Sequence, residues 1–384
     1  MGKRVVELIR ALVESPSISS TMPDLDMGNV AVIDVLAQRA DALGFDVEVM
    51  ALPGAVPKAN MIATLGRGPG GLVLSGHTDT VPFDDGLWSS DPFKLTERDG
   101  RLYGLGVVDM KSFLALALEA ASRIDPSKLQ APLIILATAD EETTMDGARA
   151  LVKAGRPKAR YAVIGEPTGL RPIHMHKGIM MEAVRIQGRS GHSSNPALGL
   201  NAIEGMHAAI AQILSWRHEI GRGHRNEAFE VPEATVNLGA IRGGDAPNRI
   251  CSHCEMLVDV RMMPGMDPDK VHSSLERRLE AELQGQGFGL EVVSLMDAIP
   301  PFETSAQSAL VKAAEAMTGY SAQTVGFGTE GPFLNALGME TIIMGPGSID
   351  QAHQPDEFLS MDQIPRTLDL LEGLIHAHCV EGRW

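Results

Sequence analysis

The sequence predicts an α/β fold, a domain with a mixed central sheet into which a second, ferredoxin-like α+β domain is inserted. Three observations carry this. Short continuous apolar runs at 133–137 (LIILA), 161–165 (YAVIG) and 341–344 (TIIM) have the form of strands covered on both faces, and helical patterns alternate with them. Between about 177 and 295 the pattern changes to alternating strands and two helices in the order β-α-β-β-α-β. The chain also has 384 residues, more than one hydrophobic core organises. The expected division is therefore 1–176 together with 296–384 as one domain and 177–295 as the insert.

At the N-terminus, MGKRVVELIRALVES sets Val5, Val6, Leu8, Ile9, Leu12 and Val13 on one helical stripe broken by charges. This is an amphipathic helix rather than a signal peptide, which needs an unbroken apolar core. Residues 29–43 read as a second helix stopped by Gly44, and 45–51 (FDVEVMA), 60–65 and 72–75 as strands separated by glycine-rich turns. A helix over 109–124 opens on Asp109, whose charge suits a helix N-terminus. Inside the insert, 178–188 alternates as a strand, 195–218 reads as a long helix, 235–241 and 249–261 as paired strands, 267–283 as a helix and 290–295 as a strand. Helices at 308–317 and 362–378 flank the TIIM strand at the end of the chain. No run approaches the length of a transmembrane span.

With 44% hydrophobic and 21% charged residues the composition is that of an ordinary globular protein. The formal net charge of −16 argues against nucleic acid or an anionic membrane as a partner and is compatible with a small cationic or zwitterionic one. Only Cys251, Cys254 and Cys379 are present, too few and too odd for a disulfide scaffold, so a reducing, cytoplasmic setting is expected. Cys251 and Cys254 read as ordinary buried thiols: three positions apart in an alternating strand they face opposite sides, and no second cysteine pair completes a zinc site. His174 and His176 read as a hinge or pocket wall, His376 and His378 as solvated helix surface, and the 20 methionines as core filling.

The chemistry gathers where apolar runs end. GLVLSGHTDTVP runs straight into His77-Thr78-Asp79, and in an extended segment His77 and Asp79 share a face. A metal-ligating imidazole has its second nitrogen held by a carboxylate or a carbonyl, and Asp79 is placed to supply one. Glu141 and Glu142 follow LIILAT, Glu166 follows YAVIG, and His353 lies in the loop after TIIM. In open α/β sheets ligands bind beyond the carboxyl ends of the strands. Together with Asp109, five imidazole and carboxylate ligands from separate segments can hold two zinc-like ions if one carboxylate bridges them. Taken singly, Asp109 reads as a helix cap and Glu166 as a loop acid. Taken together, they favour a metal site.

The motifs SGHTDTVPFDDGLWSSDPF, YGLGVVDMKS, ILATADEET, IGEPT, GRSGHSSNPALGLNAIE, GGDAPNRICSHCEMLVDVRMMPGM and GPGSIDQAHQPDEFL occur in this order over nearly the whole chain. In them the sequence resembles the dinuclear zinc aminoacylase and carboxypeptidase family. The resemblance implies that 1–176 and 296–384 form a catalytic metal-binding domain and 177–295 a lid and dimerisation domain. It implies that His77 and Glu166 bind one ion and Glu142 and His353 the other, with Asp109 bridging, Asp79 orienting His77, and Glu141 acting as general base. His192 would reach the other subunit's site and stabilise the oxyanion. Asn248 and Arg249 would contact substrate from the lid, and Thr329, Gly347 and Ser348 would form a rim for its carboxylate. Two divalent ions, zinc with cobalt as a substitute, a homodimer, and a cis bond between Asp109 and Met110 are implied as well.

The activity implied is hydrolysis of an N-acyl amino acid, with N2-acetyl-L-ornithine first. Rival substrates are succinyl-diaminopimelate and acetylcitrulline, and rival activities those of a metallo-dipeptidase or carboxypeptidase. A non-catalytic binding protein of the same fold is the alternative from another class, and an intact Glu141 beside the ligands argues against it. Ser112 and Gly331 depart from the commonest deacetylase wording, and neither is a proposed ligand.

Overall fold

In the computed structural model, which describes residues 2–382, the chain divides into two compact units. The first runs to His174 and resumes over Thr304–Gln323 and from Glu330 onward, and the second comprises Met175–Glu303 and Thr324–Thr329. Along the chain come α1 (Gly2–Val13), α2 (Val30–Asp41), β1 (Asp46–Leu52), β2 (Lys58–Leu65), β3 (Leu72–His77), β4 (Thr96–Arg98), β5 (Arg101–Tyr103) and α3 (Ser112–Ala121). Next are β6 (Leu133–Thr138), α4 (Asp146–Ala154), β7 (Tyr161–Pro167), β8 (Ile173–His176), β9 (Gly178–Gln187), β10 (Gly191–His192), α5 (Ala202–Gly223) and β11 (Thr235–Gly243). β12 (Arg249–Ile250), β13 (His253–Met262), α6 (Pro268–Leu283), β14 (Gly289–Ser294) and β15 (Phe302–Glu303) follow. The chain ends with α7 (Ala309–Thr318), β16 (Gln323–Val325), α8 (Gly331–Ala336), β17 (Glu340–Gly345), β18 (Phe358–Ser360) and α9 (Gln363–Ile375).

The first unit is built on a mixed sheet in the order β1-β2-β6-β3-β7-β17. β6, β3, β7 and β17 run parallel, so their carboxyl ends open on one edge of the sheet. β3, β6 and β7 are buried along their whole length, which is why their sequences are continuous apolar runs rather than alternating ones. α3 is buried throughout, and its Phe113 ring lies flat against Gly165 of β7, where a Cβ would run into the ring. A smaller sheet, β18-β5-β4, stands beside the turn that precedes α3.

The second unit has the sheet order β11-β13-β9-β14, antiparallel throughout, so the four strands taken along the chain stand second, third, first, fourth. This is the ferredoxin-like arrangement of a β-α-β-β-α-β chain. Buried residues alternate along β13, and Met256, Val258, Val260 and Met262 join Met206, Ala209, Ile213 and Trp216 of α5 and Leu275 and Leu279 of α6 in one core.

Several expectations are corrected. The unit boundaries fall at 174/175 and 303/304 rather than 176/177 and 295/296, because Phe302 and Glu303 pair with His176 and Met175. Residues 324–329 also belong to the second unit, tied there by the Thr324 hydroxyl donating to Ala228 O and Thr329 N–H to His176 Nε2. The helix expected from 109 begins only at Ser112, and Asp109 lies in a non-helical turn before it with φ −122° and ψ 88°. The helix expected from 195 begins at Ala202, after a short turn at Pro196–Leu198, with the Asn201 side chain capping Ile203 N–H. The strand expected over 249–261 breaks at Cys251-Ser252, so both Cys251 and Cys254 turn into one core instead of facing opposite sides. His376 is exposed as expected, but His378 is buried, its ring 4.5 Å from that of Tyr161 in a widened last turn.

Since the Phe113 ring occupies the space a Cβ would need, Gly165→Ala is expected to destabilise the protein by about 1–3 kcal/mol. Urea denaturation would show a lower midpoint, and an unchanged midpoint would contradict the packing described.

Candidate metal centre

Parallel strand ends in the first unit deliver most of the site. β3 ends on His77, which is fully buried, and the chain leaving β6 turns at Asp140, φ 60°, into Glu141 and Glu142. Glu166 lies at the end of β7, and the loop after β17 brings in His353 with φ 58°. Asp109 enters from the turn before α3, and its peptide bond to Met110 is cis.

Asp109 stands at the middle. One of its oxygens is 3.0 Å from His77 Nε2 and the other 3.4 Å from His353 Nε2. His77 Nε2 is also 4.0 Å from Glu166 Oε1, and His353 Nε2 is 3.0 Å from Glu142 Oε1. His77 and Glu166 thus lie toward one oxygen of Asp109, and His353 and Glu142 toward the other. Ligand atoms of His77, Glu141 and Glu166 lie within 4.8 Å of one another, as do those of His77, Asp109 and Glu142. His77 Nδ1 lies 3.0 Å from the Asp79 carbonyl and 3.7 Å from its carboxylate. The backbone rather than the side chain is therefore the nearer partner. Because a carbonyl only accepts, Nδ1 carries the proton and Nε2 is left as the ligand atom. The Asp79 side chain turns instead toward the neighbouring turn, where it accepts the N–H of Glu142 at 3.1 Å.

The charge balance is uneven. Burial and the nearby Glu166 push Glu141 well above the usual carboxylate range, and burial with Asp109 does the same to Glu166. Glu142 is raised by burial and by Asp109. Hydrogen bonds that His353 donates to the Asp109 and Glu142 carboxylates lift it to about 10. Burial opposes charge on Asp109, but His353 and His77 outweigh it and hold that carboxyl well below its usual range. Two imidazoles face five carboxylates, and Glu166 Oε1 and Asp79 Oδ1 are buried with no hydrogen-bond partner. Such a set of nitrogen and carboxylate donors, with a surplus of negative charge, fits divalent cations.

Groups not singled out in the sequence hold these ligands in place. Lys58 donates to Asp140 at 2.5 Å and to Asp26 at 2.7 Å, and Ser19 Oγ donates to the same Asp140 oxygen at 2.7 Å. Burial lowers the Lys58 pKa, but these carboxylates more than offset it and leave it raised. The turn bearing Glu141 and Glu142 is therefore anchored by an ion pair beneath it. The Glu357 carboxylate accepts the N–H groups of Gly106, Val108 and Asp109. Burial and the charge of Asp109 lift Glu357 to about 8, against the pull of those three donors. Glu330 is buried nearby and lifted to about 7 by burial. Lys58 carries no local signal in the sequence. Glu357 does lie within HQPDEF, immediately before a strand.

The remaining expected residues lie elsewhere. Gly347 and Ser348 follow β17; Gly347 N–H donates to Gln363 Oε1, and Ser348 Oγ accepts from Asp350 N–H. Thr329 is in the second unit, as are His192, Asn248 and Arg249. There β10 and β12 pair His192 with Arg249, and Ser193 N–H donates to Asn248 O, so these three share one exposed corner. His192 Nδ1 accepts the Ser194 N–H at 3.2 Å, which leaves Nε2 as the position able to carry a proton and donate it.

Peptidase family M20/M25/M40 matches residues 73–377, and the chain belongs to this family. It is 46% identical over 377 residues to the acetylornithine deacetylase of Photorhabdus laumondii, covering 98% of each chain. It is 48% identical over 374 residues to that of Pectobacterium carotovorum, covering 97% of each. Among solved structures it resembles a tripeptidase from Staphylococcus aureus (TM-score 0.73, 22% identity, 97% of each chain). It also resembles a metallo-carboxypeptidase from Sulfolobus solfataricus (TM-score 0.73, 20% identity, 98% of this chain and 99% of that one).

Lys58→Met would leave Asp140 buried without its cation, and a loss of about 3–5 kcal/mol is expected. Equilibrium unfolding measures it, with Lys58→Arg losing less; a wild-type midpoint for Lys58→Met would show the pair to be dispensable.

Proposed function

We propose that this protein hydrolyses N2-acetyl-L-ornithine to L-ornithine and acetate, in arginine biosynthesis, as a zinc-dependent cytoplasmic homodimer that accepts cobalt as a substitute. The observation that carries the substrate is the near full-length identity of 46–48% to acetylornithine deacetylases. An acidic chain of net charge −16 is also compatible with a substrate bearing a side-chain ammonium.

In this reading His77 and Glu166 would hold one ion and Glu142 and His353 the other, with Asp109 placed to contribute to each. Bound there, two ions would supply Lewis acidity toward the acetyl carbonyl and the attacking water. Glu141 takes the proton of that water and returns it to the departing amine nitrogen. Its place beside His77 and Glu166 supports the role, because a positioned carboxylate can take a proton and return it. Asp79 holds His77 through its carbonyl and the Glu142 turn through its carboxylate. His192, from the partner subunit, offers Nε2–H to the developing oxyanion. Asn248 and Arg249 contact the amino-acid end of the substrate, and Thr329, Gly347 and Ser348 its carboxylate. The second unit acts as lid and dimerisation surface, which makes association part of the catalytic apparatus.

Purified protein stripped of metal should release no ornithine from N2-acetyl-L-ornithine and should recover activity on reloading with zinc or cobalt. Turnover of succinyl-diaminopimelate, acetylcitrulline or unblocked dipeptides in preference to it would discard the substrate assignment. Glu141→Gln, at full metal loading, is expected to lower kcat by about 10²–10⁴-fold. His192→Ala is expected to lower it by about 10²–10³-fold, and wild-type kcat in that variant would remove the proposed donor.

A further inference from the structure

Asp109 sits in a widened turn over Val107–Lys111 whose backbone is non-helical at Asp109 and Met110, so the turn does not satisfy its own N–H groups as an α-helix would. Between β5 and α3 the chain passes through Gly104, Gly106 and Val108, all buried, and Gly106 adopts φ 77° with Thr80 where a Cβ would be. Val107 N–H donates to Gly104 O, and Lys111 N–H to Gly106 O. Three further donors, on Gly106, Val108 and Asp109, point to one place. The Glu357 carboxylate fills it, with one oxygen 2.9 Å from Gly106 N and the other 2.7 Å from Val108 N and 3.1 Å from Asp109 N.

This meeting follows from strand register. β18 pairs antiparallel with β5, Phe358 opposite Tyr103, so the residue before Phe358 is set against the residue after Tyr103. Gly104 N–H accordingly donates to the Glu357 carbonyl at 3.2 Å. From that anchor the Glu357 side chain reaches along the turn. Glu357 also closes the loop that bears His353, four residues earlier. One loop therefore supplies a ligand and the acceptor that shapes the turn of another.

We infer that Glu357 is a positioning residue for Asp109: its carboxylate gathers the three N–H groups and so fixes the direction in which Asp109 offers one oxygen to His77 and the other to His353. The three groups hydrogen-bonded to the carboxylate are all donors. Glutamine has the same volume but one acceptor oxygen, and its NH2 would face an N–H. Removing the acceptor leaves buried backbone donors unpaired, and the turn is expected to rearrange to reach other acceptors. Because Asp109 lies toward both half-sites, the loss would weaken both together. Removal of a ligand of one ion alone would instead weaken mainly that ion's site.

The inference rests on the metal-centre reading above, and the test separates the two. Full-length wild type, Glu357→Gln and Glu357→Asp are stripped with a chelator and titrated with zinc under competition, and the thermal unfolding of each stripped protein is recorded. Wild type is expected to bind two equivalents. Glu357→Gln is expected to unfold near the wild-type temperature when stripped and to bind both equivalents about 10–100-fold more weakly, the range for loss of a group supporting metal ligands. Glu357→Asp, which keeps the charge but reaches less far, should fall between.

Failure of wild type to bind zinc would overturn the metal-centre reading, and this inference with it. Two equivalents bound by wild type and equally tightly by Glu357→Gln would overturn the inference alone. If Glu357→Gln does not fold, Glu357→Asp is read in the same way. Collapse of both stripped variants would also overturn the inference, since Glu357 would then be holding the domain rather than the turn.

Discussion

Repulsion among carboxylates is the constraint on which the first unit is built. Asp79, Asp109, Glu141, Glu142 and Glu166 are all nearly buried around His77, and each pays for burial before any attraction is counted. No single element could hold them so close. They arrive from separate strand ends and one irregular turn, each held by its own partners: Lys58 and Ser19 under Asp140, the Asp79 carboxylate on Glu142 N–H, Glu357 under the Asp109 turn. The parallel sheet supplies rigidity, and the hydrogen bonds beneath its edge supply direction. The carboxylates are then placed for cations to offset what burial costs them.

How much of this could be read in the sequence depends on whether the signal is local. The buried strands are legible because a segment covered on both faces must be apolar throughout, and LIILAT and YAVIG meet that condition without help from distant residues. The side chains beyond such strands are legible for the same reason: His77 ends Leu72–His77, Glu166 directly follows YAVIG, and Glu141 and Glu142 come in the turn after LIILAT. The β-α-β-β-α-β order of the insert is legible from periodicity, although the first helix starts at Ala202, after a separate turn at Pro196–Leu198, rather than at 195.

The rest depends on pairs of residues far apart in the chain. Nothing near Lys58 marks it as the partner of Asp140, and nothing near Glu357 marks it as the acceptor for Val108. Asp109 before an apolar run satisfies every local rule for a helix start, yet the chain there turns non-helical, its N–H groups drawn to a residue that arrives with β18. His378, at two-residue spacing from His376, reads as solvated from the sequence, but Tyr161 of β7 lies against its ring.

The order in which ligands occur along the chain has a further meaning. His77, Asp109, Glu142 and Glu166 all precede the second unit, whereas His353 and Glu357 follow it. β17, which lies parallel to β7, is separated from it by the whole of that unit. A chain emerging in order from the ribosome therefore gathers most of its acidic side chains while one edge of the sheet still lacks its neighbour and the Asp109 turn still lacks its acceptor. Closing so long a loop is slow. The site must wait for the segment beyond the second unit, which brings His353 and Glu357, before its geometry is complete.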